Sequence, residues 1–249
     1  MSAVKVYVPR ETTSVSVGAD EVALAIARQA KQTGTEIRLI RNGSWGACWL
    51  EPLVEVEVDG VRIAYGNVTP EDVPGLFEAG PGSKHDKCLG PVNEIEYLIN
   101  QDRWTFWRCG LTEALSLEDF LAHQGFKALQ KAWEIGADAV ISEVTESGLR
   151  GRGGAGFPAG IKWRTVADAE GDQKYIACNA DEGDSGTFSD RILMEGDPLQ
   201  LIEGMAIAGF ATGASKGYIY LRSEYPLTRR VLTKALDLAR ESGWLGDDI

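Results

Sequence analysis

The sequence predicts an α/β chain built of two units joined by an aromatic-rich segment, and three observations carry that prediction. Strand-like and helix-like periods alternate at both ends of the 249 residues. Between them, residues 92–136 concentrate Trp104, Phe106, Trp107 and Trp133. A segment with six glycines in thirteen positions, residues 148–160, opens the second unit. The expected organisation is residues 1–91, a connecting segment at 92–136 and a second unit at 137–249.

Each element follows from local pattern. Residues 5–9 alternate as a strand, residues 16–31 place Val22, Ala23, Ala25, Ile26 and Ala30 at helical spacing, and residues 36–40 form a second strand. Residues 54–58 and 61–65 flank Asp59-Gly60, a strong two-residue hairpin signal. Residues 69–79 read as helix and residues 80–86 as a loop. In the connecting segment Leu117, Phe120, Leu121 and Leu129 predict two short amphipathic helices. Its aromatic residues read as core. The second unit continues with a helix at 137–145, a strand at 174–178, a loop at 179–191, a helix at 198–212, a strand at 217–221 and a helix at 226–242. Such alternation implies a parallel sheet, whose ligands sit at the carboxyl ends of its strands.

Composition excludes several functions. A net charge of -12 repels a polyanion, and no basic groove is legible, so nucleic acid is not the partner. The start lacks a secretory layout and no apolar run approaches the ~20 residues of a membrane span, so a cytoplasmic protein is expected. Cys48, Cys88, Cys109 and Cys178 lie far apart and read as reduced thiols.

Two segments carry chemistry. In Gly148-Leu149-Arg150-Gly151-Arg152-Gly153-Gly154-Ala155-Gly156-Phe157-Pro158, missing Cβ atoms let backbone N–H groups approach an anion, while Arg150, Arg152 and Lys162 bring positive charge to an acidic chain. A phosphate-bearing cofactor fits, with a flexible linker as the bland alternative. The Gly151–Gly156 stretch satisfies G-x-G-x-x-G formally, but a helix rather than a strand precedes it, unlike an ordinary dinucleotide loop. The second segment, Asn179-Ala180-Asp181-Glu182-Gly183-Asp184-Ser185-Gly186, crowds three carboxylates into four positions after a strand. Its spacing does not suit a calcium loop. Ribose or ribityl hydroxyls are the natural partners of such side chains, and a solvated acidic turn is the alternative.

Ser147 to Pro158, Lys162-Trp163, Cys178 to Glu182, Asp197-Pro198 with Leu201 to Met205, and Tyr218 to Tyr220 with Arg222 and Glu224-Tyr225 resemble the NADH- and FMN-binding flavoprotein subunit of respiratory complex I and its soluble relatives. The N-terminal element order and residues 104–110 are similar to the diaphorase (beta) subunit of soluble, molybdenum-containing, NAD-dependent formate dehydrogenases, with NAD-reducing hydrogenase diaphorases as the nearest competitors. The resemblance implies a thioredoxin-like N-terminal domain followed by a Rossmann-like parallel-sheet domain for FMN and NAD(H). Gly151, Arg152, Gly153, Gly154, Lys162, Asn179 and Asp181 match FMN-contacting positions; Gly156, Phe157, Lys162, Glu182 and Asp184 match positions lining the NAD(H) site. No catalytic acid or base is implied, and His85 and His123 lie outside both loops. Hydride would pass between nucleotide and flavin, and single electrons would run through iron-sulfur clusters towards a molybdenum, formate-oxidising partner. The other reading is a non-catalytic assembly module.

Several positions depart from the family. Asp184 stands where glutamate is usual, and Arg164-Thr165-Val166 replace an aromatic residue that stacks on adenine, a role open to Arg164. A second glycine-rich segment and a [4Fe-4S] cysteine motif have no counterpart before Ile249, so the domain is expected to be truncated relative to the family. In the N-terminal domain Val92 replaces the partner of Cys88 and Cys48 stands alone, so no [2Fe-2S] cluster and no metal ligand are expected there.

Overall fold

The computed structural model describes residues 3–83, 85–184 and 186–246; Ser185 of the acidic segment lies outside the described residues. The chain begins with β1 (Val4–Tyr7), α1 (Thr12–Ser16), α2 (Ala19–Thr33) and β2 (Ile37–Ile40). After a 3-10 turn at Cys48–Leu50 come β3 (Val54–Val58), β4 (Val61–Tyr65), α3 (Val73–Ala79) and β5 (Cys88–Pro91). These strands form one sheet in the order β2-β1-β3-β4-β5, with β1 and β2 parallel and the remaining neighbours antiparallel. This is the thioredoxin-like order. Asp59 and Gly60 both have positive φ, 49° and 81°, the left-handed pair that a two-residue hairpin turn requires.

The two faces of this sheet differ in chemistry. Val6, Val8, Val54 and Tyr65 pack against Val22, Ala23 and Ile26 of α2 and Val73 of α3. The opposite face carries Lys5, Tyr7, Glu55, Glu57 and Arg62, with Arg62 lying 3.5 Å over the Tyr7 ring. The connecting segment closes this polar face: Arg62 donates to the carbonyls of Gly110 (3.0 Å) and Leu111 (2.6 Å), and Asn42 donates to Gly110 at 2.7 Å. These bonds satisfy donors of Arg62 and Asn42, while the buried Asn42 Oδ1 and Glu55 Oε2 have no hydrogen-bond partner among the described residues.

The connecting segment holds a 3-10 turn at Val92–Glu94, α4 (Glu96–Ile99), α5 (Leu117–Ala122) and α6 (Lys127–Ile135). Its anchor is Arg108. The guanidinium pairs with Asp197 at 2.7 Å, both side chains being buried, donates to the His123 carbonyl and to Gln200, and lies against the Trp107 and Phe120 rings. The aromatic residues are not uniformly core. Phe120 and Phe126 are buried, whereas Trp104 is 81% exposed, contrary to expectation.

The second half comprises α7 (Ala137–Glu146), α8 (Ala159–Asp168), β6 (Tyr175–Ala180), α9 (Ser189–Gly196), α10 (Pro198–Thr212), β7 (Lys216–Leu221) and α11 (Pro226–Glu241). The strands β6 and β7 run parallel, paired from Tyr175↔Lys216 to Ala180↔Leu221. The apolar α10 is the hub, packing against α6, α7, α8, α9, α11 and both strands. Sequence pattern did not show α8 or α9; residues 189–191 belong to α9 and not to the expected loop. The two halves also meet directly. Glu195 accepts from Thr12 N (2.6 Å), Thr12 Oγ1 (2.8 Å) and Thr228 Oγ1 (2.5 Å), and a Cβ on Gly43 would lie 2.7 Å from the Gly196 Cα.

Candidate functional site

The glycine segment folds back on itself. Gly151 N donates to the Phe157 carbonyl at 2.9 Å and Ala159 N to the Leu149 carbonyl at 2.8 Å, so residues 151–157 form a loop closed at its base. Arg150 braces the loop from inside by donating to the Gly156 carbonyl at 2.8 Å, and Arg152 donates to the Arg150 carbonyl at 3.3 Å. Gly154 (φ +97°) and Gly156 (φ +59°) adopt left-handed conformations, and added Cβ atoms on Gly153, Gly154 or Gly156 would meet nothing within 4 Å. Along this loop the N–H groups from Arg152 to Phe157 meet no protein acceptor among the described residues. That is a row of free donors beside two arginines.

The loop feeds α8, whose entry is fixed by close packing: a Cβ on Gly160 would sit 2.7 Å from the Thr145 Cα of α7. Lys162, in the first turn of α8, is exposed and has no carboxylate within ion-pair distance among the described residues. Its neighbours are committed elsewhere. Trp163 packs with Ala132, Val140, Ile141 and Ala211, and Arg164 pairs with Asp138 at 2.7 Å, which holds Arg164 against α7 rather than offering it for stacking.

The far end of α8 is tied to the start of the sheet. Lys174 Nζ, just before β6, donates to the Ala167 carbonyl at 2.8 Å, and Gln173 donates to Ser215, just before β7, at 2.9 Å. Trp163 and Ala167 of α8 share a cluster with Phe210 and Ala211 of α10. The carboxyl end of α8 is thus at the start of both strands. Asn179 and Asp181 emerge at the carboxyl end of β6.

At that end Asn179 Oδ1 accepts from Asp181 N at 3.0 Å, and Asn179, Asp181 and Asp184 are exposed. Glu182 differs. Its side chain is buried and accepts from Ser189 Oγ (3.2 Å), Asp190 N (2.9 Å), Arg191 N (3.2 Å) and Tyr225 OH (3.0 Å), so it caps α9 from a distance. Burial, followed by the Glu182 charge, pushes the neighbouring Asp190 carboxyl up. Arg222, after β7, donates to the Glu182 carbonyl and pairs with Glu224 at 3.2 Å, and that contact holds the Glu224 carboxyl down at about 2. Arg222 and Tyr225 therefore shape the acidic loop, a role sequence reasoning did not assign them. Their position directly after a strand at the same sheet end was the available signal.

The structure thus places Asn179, Asp181 and Asp184 at the end of β6 and Gly151, Arg152, Gly153, Gly154, Gly156, Phe157 and Lys162 at the entry to α8, while the Glu182 side chain is buried. A groove of about 450 Å³ between α7 and α8, lined by Ile141, Thr145, Gly160 and Arg164, includes none of these residues. No group of three or more His, Cys, Asp or Glu side chains placed to hold a metal occurs among the described residues. Cys109 is buried, and burial pushes its thiol up to about 12.

Residues 144–249 match the Nuo51 FMN-binding domain family. The chain is 50% identical over 141 residues to the NADP-reducing hydrogenase subunit HndC of Solidesulfovibrio fructosivorans, covering 57% of this chain and 29% of that protein. It is 51% identical over 131 residues to an NADH-quinone oxidoreductase subunit of Rhizobium meliloti, covering 52% and 31%. A crystal structure of an air-oxidised NAD+-reducing [NiFe]-hydrogenase aligns with 97% of this chain and 41% of that chain at 23% identity and a TM-score of 0.46. The chain spans roughly a third of the length of these curated relatives. No helix among the described residues is long and apolar enough to cross a membrane. All the candidate cofactor residues fall inside the segment, residues 144–249, that matches this family.

Proposed function

We propose that this chain is a diaphorase component that holds FMN and NAD(H) side by side in a cytoplasmic, hetero-oligomeric NAD+-reducing complex. The observation that carries this reading is the row of N–H groups from Arg152 to Phe157 that meet no protein acceptor among the described residues, set beside Arg150, Arg152 and Lys162 at the entry to α8. The residues present suit a flavin phosphate and a dinucleotide: open backbone donors, three cations with no carboxylate in ion-pair distance among the described residues, and no Cβ in the way. Gly151, Arg152, Gly153, Gly154, Lys162, Asn179 and Asp181 are assigned to FMN, and Gly156, Phe157, Lys162, Glu182 and Asp184 to NAD(H).

When bound, the flavin supplies the exchange between two-electron hydride chemistry and single electrons. The chain supplies alignment. Lys162 offers one ammonium to two anionic ligands, and Phe157, at the loop's end, offers a half-exposed ring. The buried Glu182 carboxylate accepts from Asp190 N and Arg191 N, so its part in the NAD(H) site is to position the turn at Asp181–Asp184 against α9. Neither histidine takes part: His123 Nδ1 lies 2.8 Å from the Asp119 carbonyl, and His85 Nδ1 accepts from Lys87 N at 3.2 Å, both outside the site.

Iron-sulfur clusters are assigned to partner subunits or to further parts of a longer chain, and the electron donor to a molybdenum, formate-oxidising subunit. The N-terminal element order and residues 104–110 support formate. The hydrogenase relatives support hydrogen as a second reading. NAD+ reduction by the purified complex decides between them: formate-driven, hydrogen-insensitive reduction is expected, and reduction by hydrogen alone would replace the molybdenum partner with a hydrogenase.

A further inference from the structure

We propose that the groove between the 3-10 turn Cys48–Leu50 and residues 94–101 is a docking surface for a partner protein that presents an apolar anchor ringed by lysine or arginine. The groove encloses about 750 Å³ and is lined by Trp49, Leu50, Leu89, Ile95 and Tyr97, with Glu94 and Glu96 beside them. Trp49 is 56% exposed, and Leu89 and Tyr97 are each 42% exposed. Three large apolar side chains facing water around one concavity are a cost in a free protein, and a covering partner removes it.

The surface is built rather than loose. Leu50 and Ile95 rest on the buried Leu53, Ala64, Val92 and Leu98. The Trp49 ring meets Tyr97 edge-on at 4.6 Å, and Asn67 Nδ2 donates to the Trp49 carbonyl at 2.8 Å. A Cβ on Gly66 would lie 3.0 Å from Leu89 Cδ1 and 3.5 Å from Leu50 Cδ2, so the two walls close over a glycine. A partner meeting such a surface has little to order on this side.

Charge selects the occupant. The lining contains two glutamates and no lysine or arginine, in a chain of net charge -12. Nucleic acid and anionic membrane are both repelled by it. A small apolar ligand would stay half-wet between side chains this exposed. A protein whose apolar anchor is flanked by cations satisfies both the aromatic floor and the acidic rim. The flavin reading plays no part in this assignment.

The test uses the native assembly, purified through a tag on this chain. Hydroxyl-radical footprinting should show Trp49 and Tyr97 at least fivefold less oxidised in the assembly than in the free chain. Carbodiimide coupling should join Glu94 or Glu96 to a lysine of one stoichiometric companion. Trp49→Ser with Tyr97→Ser, and separately Glu94→Lys with Glu96→Lys, should each weaken retention of that companion at least tenfold while melting within a few degrees of the parent. Equal oxidation in both states overturns the proposal, as does a chain that purifies without a stoichiometric companion, or cross-links that avoid both glutamates. The charge-reversal pair keeps the test decisive if the aromatic pair does not fold.

Discussion

Lys162 is the residue on which most depends, because it is exposed, free of carboxylate partners among the described residues, and placed one turn into α8 beside the open glycine loop. Lys162→Ala should weaken FMN and NAD(H) together, each by about tenfold, the loss of one charge-assisted contact per ligand. Calorimetric titration of each ligand checks it, and unchanged affinity for both would remove Lys162 from the site. Glu182 makes the opposite kind of prediction. Its four acceptor contacts reach across to α9 and α11, so Glu182→Ala should lower stability by about 1 to 3 kcal/mol, measured by denaturant unfolding. Sequence reading saw its carboxylate as one of three crowded acids facing a ligand. Nothing local distinguishes it from Asp181 and Asp184, since its partners lie seven or more residues away.

At the scale of elements, legibility tracks how local the determining signal is. The hairpin β3–β4 and the helix α10 have the predicted bounds, because Asp59-Gly60 sets the hairpin turn while Pro198 opens α10 and Gly213, at φ +75°, closes it. Elements without such a signal were hidden: α1, α4, β5, α8 and α9. The edge strand β5 contains Gly90 and Pro91, α9 takes its N-terminal cap from Glu182 outside the helix, and α8 begins among the glycines with no side-chain cap. What holds α8 is contact with α7, which makes Gly160 a packing residue and not part of the phosphate loop. Gly160→Ala should cost about 1 to 3 kcal/mol through the clash with Thr145. A thermal melt unchanged by the substitution would contradict the observed α7–α8 approach.

Across the whole molecule the sequence disclosed two α/β units and an acidic surface, but not how the units are joined. The join depends on buried polar groups far apart in sequence, Glu195 with Thr12 and Arg108 with Asp197, whereas Glu51, bonded to Ser44 and Leu53 N, is buried within the first unit. Burial, reinforced by nearby Glu11, raises the Glu51 carboxyl to about 7, opposed by the Ser44 and Leu53 hydrogen bonds. Its ordinary value is 4.5, so between about pH 4.5 and 7 the folded chain keeps a proton that the unfolded chain has released. The stability this group contributes is therefore present in full at the acid side and is lost as pH rises through about 7, by up to about 3 kcal/mol. The parent should melt several degrees higher at pH 5.5 than at pH 8, and Glu51→Gln should flatten that dependence. An identical pH profile in the variant would move the titration elsewhere.

The glycine loop, the strand-end acids and the match over residues 144–249 all rest on one claim, that this chain binds FMN where NAD(H) can reach it. The most direct measurement is titration of the purified protein with FMN, followed by anaerobic NADH while the flavin absorbance near about 450 nm is watched. Saturable uptake at one site, followed by bleaching on addition of NADH, is the predicted result. Uptake that fails in the parent chain, or bound flavin that NADH leaves oxidised, would contradict it and leave a docking unit in place of a diaphorase.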